Sequence, residues 1–295
     1  MEWKKDNRTY KILSDAEKGG YGVVAPIAYN IECILAFIRA AEAKRAPLII
    51  QVFPWALTYS DGLLVHAAAK AARDASVPVA IHLDHAQDAD LIRHVAATLP
   101  FDSIMVDMSH YEMAENLAKT KELVAFCNAH RICTEAEPGR IEGGEDGIAD
   151  TADLEGALTT PEQVDDFVAT GIDFLAPAFG NVHGEYGARG PVLEYDRLAA
   201  IRAKLSAGAS SSKEASNVRI VLHGTNDFAE DVMKRCIQGG CSKINVNKLV
   251  LDDYLVYMKT QAATASLTTF MEEGTKAIQK LMEWQMDVTG SAGKA

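Results

Sequence analysis

Short runs of consecutive apolar residues alternate along this chain with longer stretches whose apolar positions recur every three or four residues. The short runs cover residues 22–27, 47–53, 78–83, 102–107, 131–136, 173–179, 218–222 and 242–246. They read as strands covered on both faces. The longer stretches cover 31–44, 63–75, 89–99, 112–129, 161–170, 194–205 and 227–239, and read as amphipathic helices. Strand–helix alternation of this kind predicts a parallel sheet wrapped by helices. Eight such strands predict a (β/α)8 TIM barrel. A doubly wound open sheet is the alternative. It should carry a phosphate-binding GxGxxG after its first strand, where this chain reads APIAYN.

No domain boundary or internal repeat interrupts the pattern, so a single barrel domain over residues 1–295 is expected. Two further helices are expected from residue 252 onward. The Ser-rich segment 206–217, SAGASSSKEASN, reads as a flexible loop, and 289–295 as a loose tail.

Composition narrows the partners. A net charge of −12 argues against nucleic acid or anionic lipid as the main partner. It leaves room for a small anionic substrate beside a metal. No run approaches the roughly 20 apolar residues of a membrane span. The start, MEWKKDNRTYK, lacks the apolar core of a signal peptide. The five cysteines, Cys33, Cys127, Cys133, Cys236 and Cys241, form no CxxC pair and lie in apolar contexts, so core thiols in a reducing compartment are expected. A cytoplasmic protein without a membrane partner follows as the expectation.

The candidate chemistry sits where strands end. In a barrel those ends open into one mouth. The third strand ends at Asp84 and His85, the fourth at Asp107, the fifth at Glu135 and Glu137. The sixth leads to His183, the seventh to His223, and the eighth to Asn245 and Asn247. Three neutral imidazoles converging with open positions describe catalytic zinc. Glu137 is either an additional ligand or a carboxylate that orients a ligand histidine. His82, inside the third strand, is assigned to structure.

The stretches HLDHAQD, EAEPGRIEGGEDG, FGNVHGEYG, VLHG and KINVN, in this order, resemble the class II, metal-dependent ketose-bisphosphate aldolases. The resemblance runs over nearly the whole chain. It implies a zinc site made by His85, His183 and His223, with Glu137 as an auxiliary position. Asp84 is implied as general acid/base toward the aldehyde-derived oxygen. Glu145, in the glycine-rich GGEDG stretch, is implied to handle a proton on the ketose carbon, and Asp107 to support the site. Without the resemblance, Glu142, Glu145 and Asp146 read as a solvated acidic loop. The implied reaction is retro-aldol cleavage of a ketose (bis)phosphate to dihydroxyacetone phosphate and an aldehyde. A monovalent cation (Na+ or K+) is a further candidate cofactor, and a homodimer or larger homo-oligomer the expected assembly.

Departures gather on substrate recognition. The family's GGSG-like stretch after strand seven reads His223-Gly224-Thr225-Asn226-Asp227 here, and its NxxT after strand eight reads Asn245-Val246-Asn247-Lys248. Phe53 stands where a serine is common, while Asn30 keeps the family's asparagine after strand one. No arginine follows Arg235, although related enzymes often use a late one for the distal phosphate. Asp227 and Glu230 read as a capping box that would compete with phosphate for backbone amides. Gly184, Gly224, Thr225, Asn226, Asn245, Asn247 and Lys248 are the substrate-binding candidates, Lys248 being equally readable as a solvated helix start. Two other readings stay open. One is an aldolase of the same mechanism for a divergent or non-phosphorylated hydroxy-ketone. The other is a metal-binding barrel without turnover.

Overall fold

The computed structural model describes residues 1–144, 154–211 and 218–295; at 208–211 and 248–251 the backbone alone is described. The strands are β1 (Val23–Pro26), β2 (Leu48–Val52), β3 (Val79–Ala86), β4 (Ser103–Val106), β5 (Cys133–Ala136), β6 (Phe174–Leu175), β7 (Arg219–Leu222) and β8 (Cys241–Val246). All neighbouring pairs are parallel, in the order β1-β8-β7-β6-β5-β4-β3-β2. The seam between β1 and β2 is drawn together by a parallel bridge from Ile27 to Gln51. There the Ala28 amide donates to the Gln51 carbonyl, and the buried Gln51 side chain donates to the Ala25 carbonyl at 2.8 Å. This is the (β/α)8 barrel that the alternation predicts.

The helices are α1 (Arg8–Gly19), α2 (Ile31–Lys44), α3 (Pro54–Ser60), α4 (Leu63–Asp74), α5 (Ala89–Thr98), α6 (Met113–Ala129), α7 (Pro161–Val168), α8 (Tyr195–Ser211), α9 (Glu230–Gln238), α10 (Lys248–Gln261) and α11 (Leu267–Val288). Local chemistry sets several starts. Asn30 caps α2 by accepting from the Cys33 amide at 2.9 Å, and Thr160 with Gln163 forms a capping box on α7. The side chain of Asn30 is therefore committed to its helix, and its amide donates to the Tyr254 hydroxyl.

Successive strand residues face opposite ways, so alternate side chains fill the barrel interior in layers. The lower layers are apolar. Val23, Ala25, Ile49, Ala80, Met105, Cys133, Phe174 and Val221 pack against Ile12, Leu13 and Ala16 of α1, which plugs the bottom. The larger apolar cluster lies between the sheet and the outer helices. All five cysteines are buried free thiols.

Four expectations need correction. Segment 206–217 is not loop throughout: α8 runs on to Ser211, while 212–217 lies outside the described residues. The tail is not loose. Ser291 is fully buried, and the Gly293 and Ala295 amides donate to the Lys44 and Arg45 carbonyls at 2.8 and 2.9 Å. The sixth strand is a two-residue ladder, because Pro177 has no N–H to offer it. The segment that follows is held by side chains instead: Thr159 accepts from the Ala178 amide and Asn181 from the Phe179 amide. Finally, Asp227 and Glu230 form no capping box. The N-cap of α9 is Ala229, with no side-chain cap, and Asp227 turns the chain at φ 60°.

Candidate active site

A regular strand would send the adjacent residues Asp84 and His85 to opposite faces. Here β3 slips register between Leu83 and Ala86, and His85 adopts a left-handed φ of 47°. That conformation costs a non-glycine residue roughly 1–2 kcal/mol. It turns both side chains into one cleft, which they line with His223, Gly224, Thr225, Asn226, Asn245, Asn247, Ile27 and Phe53. Strain of this kind persists only where neighbours hold it. The holding group is Asp107, whose Oδ2 sits 2.8 Å from His85 Nδ1. Asp107 is itself fixed by the hydroxyl and amide of Ser109 and by Gln87.

His183 reaches the same place from the loop after β6, and His223 from the end of β7. Asn181 supports this arrangement by donating to the His223 carbonyl at 3.1 Å, and the Tyr186 hydroxyl by donating to the Gly224 carbonyl at 2.6 Å. The three imidazoles are buried, and their ring nitrogens converge. His85 Nε2 lies 3.1 Å from His223 Nδ1, which lies 3.4 Å from His183 Nε2.

The other nitrogens of two rings are already committed. His85 Nδ1 faces Asp107, and His223 Nε2 faces Glu135 Oε1 at 2.8 Å. A carboxylate only accepts, so each of those nitrogens carries its proton. In the neutral rings, His85 Nε2 and His223 Nδ1 are then two lone pairs pointing at each other. A proton or a cation must lie between them. Four tetrahedral ligands about 2.0–2.1 Å from zinc stand roughly 3.3 Å apart. The observed nitrogen spacings match that requirement, so the donor set fits a divalent ion with a position left open.

Without an ion, charge settles unevenly. Burial disfavours the charged form of His85, but the Asp84 carboxylate and the hydrogen bond to Asp107 outweigh it and hold the ring up at about 10. Burial, then repulsion from His85 and His223, pushes His183 well below its ordinary value. Burial works against an ionised Asp84, yet the charges of His85 and Lys243 hold it well below the usual carboxylate range.

The remaining candidates fall into two groups. Asp84 Oδ2 accepts from Asn245 Nδ2 at 3.0 Å, inside the cleft. Glu137 is grouped with His85 and Asp107, and accepts from the Ile141 amide at 2.6 Å. Burial, then the nearby Asp107 charge, raises it well above the ordinary glutamate value. Glu135, not Glu137, touches His223. The Thr225 hydroxyl donates to the Asn245 carbonyl at 2.5 Å, Asn226 to the Gly184 carbonyl at 3.1 Å, and the Tyr29 hydroxyl to Asn247 at 2.8 Å. Glu145 lies outside the described residues; Lys248 is the first residue of α10.

Comparison with known proteins agrees with this geometry. The family model "Fructose-bisphosphate aldolase class-II" matches residues 7–294. The chain belongs to the class-II fructose-bisphosphate aldolase family. A protein of Coccidioides immitis (strain RS), provisionally named fructose-bisphosphate aldolase, is 50% identical over 99% of this chain and 96% of its own length. A crystal structure from the same organism superposes with a TM-score of 0.93 at 51% identity, covering 98% of each chain. The fructose-bisphosphate aldolase of Streptococcus pyogenes serotype M3 is 34% identical over 97% of this chain and 98% of its own. The YdjI aldolase of Escherichia coli K12 is 29% identical with a TM-score of 0.82, covering 97% of this chain and 98% of that one.

Sequence reasoning passes over two residues that the structure joins to this cluster. Glu135 stands beside Glu137 at a strand end with no role of its own, although strand parity separates Glu135 from Ala136. Lys243 is absent from the sequence candidates. Its signal is present: a lysine in the middle of a strand buried along its whole length is rare enough to demand a partner. Among the described residues, no helix is long and apolar enough to cross a membrane.

Proposed function

We propose that this protein is a zinc-dependent class II aldolase that cleaves a ketose phosphate into dihydroxyacetone phosphate and an aldehyde. The observation that carries this reading is the convergence of His85 Nε2, His223 Nδ1 and His183 Nε2 at spacings of 3.1 and 3.4 Å, with Asp84 lining the same cleft as His85 and His223. His85, His183 and His223 would hold the ion. Zinc, when bound, supplies Lewis-acid polarisation of the substrate carbonyl.

The chain's own residues handle the protons. In the cleavage direction Asp84, kept ionised, takes the proton from the hydroxyl that becomes the aldehyde oxygen. The carbon–carbon bond breaks and its electron pair moves onto the ketose fragment. Glu145 is assigned the return of a proton to that fragment's carbon. Asn245 keeps Asp84 aimed into the cleft. Asp107 and Glu135 hold the two histidines with their ligand nitrogens facing inward. Glu137, grouped with His85 and Asp107, would serve as an auxiliary metal position.

A screen of sugar phosphates and free sugars, with and without added zinc, tests the reading. Turnover that requires the metal is expected; no cleavage of any ketose under either condition would leave a metal-binding barrel without catalysis. A second reading, a divergent or non-phosphorylated hydroxy-ketone as substrate, draws support from Phe53 and Ile27 lining the cleft and from the inward hydrogen bonds of Thr225 and Asn226. The same assay with sodium, potassium or a bulky organic cation tests for a monovalent cofactor. A homodimer or larger homo-oligomer is proposed as the assembly. Ile278 and Met282 of α11 are buried within the chain, whereas Leu267 and Met271 stay exposed, Met271 beside Tyr59 and Leu63. Light scattering at micromolar concentration is expected to give the mass of a dimer or a larger assembly.

A further inference from the structure

Below the histidines, the barrel interior holds a belt of polar groups that no water reaches. Lys243, Glu135, His82 and Ser103 are all fully buried. They belong to β8, β5, β3 and β4, so the belt crosses the barrel from wall to wall. Burying a lysine and a glutamate in this way requires partners. Lys243 Nζ donates to Glu135 Oε2 at 2.8 Å, and Glu135 Oε1 lies 2.8 Å from His223 Nε2. The carboxylate is thereby used at both ends, one oxygen on the ammonium and one on the imidazole.

From this chain of contacts we infer that Lys243 is a positioning residue: it anchors Glu135 so that Glu135 fixes His223 with Nε2 protonated and Nδ1 presented to the metal. The inference rests on the zinc-aldolase reading above. A carboxylate held at one oxygen only can rotate about its terminal torsion, which is broad and two-fold. Tied at both oxygens, Glu135 has one orientation, and the ring that donates to it has one tautomer. The ring's Nδ1 then faces His85 Nε2 and His183 Nε2. Carboxylates that orient ligand histidines typically change metal affinity by about 10–100-fold when lost. His85 receives the same service from Asp107, at the end of the neighbouring strand. The anchor for His223 comes from β5 and is itself tied to β8.

His82 closes the belt on the other side. Its Nδ1 is 2.7 Å from the Ser103 hydroxyl, which is 2.9 Å from the Thr9 hydroxyl of α1. Its Nε2 stands 3.6 Å from Glu135 Oε2 and 3.7 Å from Asp84 Oδ1, so it borders the carboxylates without a short hydrogen bond to either.

A buried lysine in an aldolase invites a different role, that of a Schiff-base nucleophile. The geometry opposes it. Lys243 is absent from the cleft lining, is fully buried, and has its ammonium on Glu135, 4.0 Å from Asp84 Oδ1.

The test uses the full-length protein, stripped of metal and titrated with zinc against a chromogenic chelator, without substrate. Lys243→Met, Glu135→Gln and the double variant are compared with wild type. Long-range ¹H–¹⁵N spectra of the zinc-loaded proteins report the histidine tautomers. Lys243→Met is expected to weaken zinc binding about tenfold or more and to change the ¹⁵N signature of His223 while leaving that of His85. Glu135→Gln should act in the same direction, and the double variant should lose no more than the worse single, because the three groups form one chain. Wild-type zinc affinity with an unchanged His223 signature in Lys243→Met would overturn the inference. If Lys243→Met does not fold, the double variant, which removes both members of the buried pair, decides the matter: wild-type affinity there also overturns it. A covalent adduct on Lys243 after borohydride reduction with a ketose would overturn it in favour of the nucleophile. Failure of the wild type itself to bind zinc would instead break the aldolase reading on which the inference rests.

Discussion

The two halves of the cleft are built differently. On the histidine side, His85 and His223 each have a second anchor: Asp107 for one, Glu135 for the other. Those anchors leave lone pairs aimed at a common centre. On the side where substrate recognition is expected, the polar side chains of Thr225 and Asn226 are turned onto the protein's own backbone, and Asn247 accepts from Tyr29. Phe53 and Ile27 line the same wall with carbon. One half uses its hydrogen bonds to aim groups outward, the other to hold itself. Under the proposed reading the first half carries the reaction chemistry and the second the choice of substrate, so the second can change while the first stays fixed.

The largest effects should come from breaking the histidine half. His85→Ala, His183→Ala or His223→Ala is expected to lose bound zinc and, with it, nearly all cleavage, as read by metal analysis of the purified variants. Full metal retention in all three would dissolve the distinction between the halves. Asp84→Ala should keep the metal and still lose about 10²-fold or more in kcat, the usual scale for a general acid/base residue. An unchanged kcat on any cleaved ketose would remove Asp84 from the mechanism.

A smaller effect is expected from the other half as it stands. Related enzymes often use a late arginine for the distal phosphate; none follows Arg235 here, and lacking that one charged hydrogen bond is expected to cost about 1.5–3 kcal/mol. That corresponds to a tenfold to hundredfold lower kcat/KM for fructose 1,6-bisphosphate. The comparison is with a family member that retains the GGSG and NxxT stretches. Equal efficiency would point to compensation by Lys248 at the start of α10 or by Arg189 in the loop after β6, and Lys248→Ala and Arg189→Ala would separate them.

How much of this is legible in the sequence follows the same division. The strands and helices can be read because each buries a face with its own period, and α2 begins and ends where its pattern does. His85, His183 and His223 can be read because strand ends share one mouth. Three features cannot. The bulge that brings Asp84 and His85 to one side leaves no trace in a pattern of apolar residues, since β3 is buried along its whole length. The end of β6 stays apolar beyond Leu175, but ladder pairing needs N–H groups, and Pro177 lacks one. The Lys243–Glu135 pair joins residues 108 apart in sequence, and only barrel closure shows that they meet. The inward bonds of Thr225 and Asn226 are of the same kind: hydroxyl and amide types alone do not say whether they face a ligand or a carbonyl.

Acidity separates the halves as well, by a modest shift in melting temperature. In the metal-free protein His85 is held at about 10, above its ordinary value near 6.5. A group raised on folding contributes stability in full below its unfolded value and loses it as pH climbs through its folded one. Calorimetry in the presence of a chelator should therefore show a melting temperature that declines from about pH 6.5 toward pH 10. His85→Gln should flatten that decline, and Asn226→Ala should leave its slope alone. A wild-type profile level over this range would mean that His85 does not carry the proton assigned to it.

The smallest expected change sharpens the comparison from the recognition side. Phe53 is buried, lines the cleft, and lies with its ring 6.1 Å from that of His85. Phe53→Ser replaces carbon with a hydroxyl where related enzymes commonly carry one. A single neutral hydrogen bond is worth about 0.5–1.5 kcal/mol, so KM for a phosphorylated ketose should fall by roughly twofold to tenfold while kcat holds. The substitution also removes a large buried ring and should lower stability by an amount like that of Phe→Ala, about 3–5 kcal/mol. For that reason the informative quantity is a ratio within one sample: KM for the phosphorylated ketose over KM for its free counterpart. A lower active fraction reduces the apparent kcat for both substrates alike and leaves each KM, and so the ratio, unchanged. A fall in the ratio assigns Phe53 to substrate selection; an unchanged ratio would move that role to the backbone-bound Thr225 and Asn226.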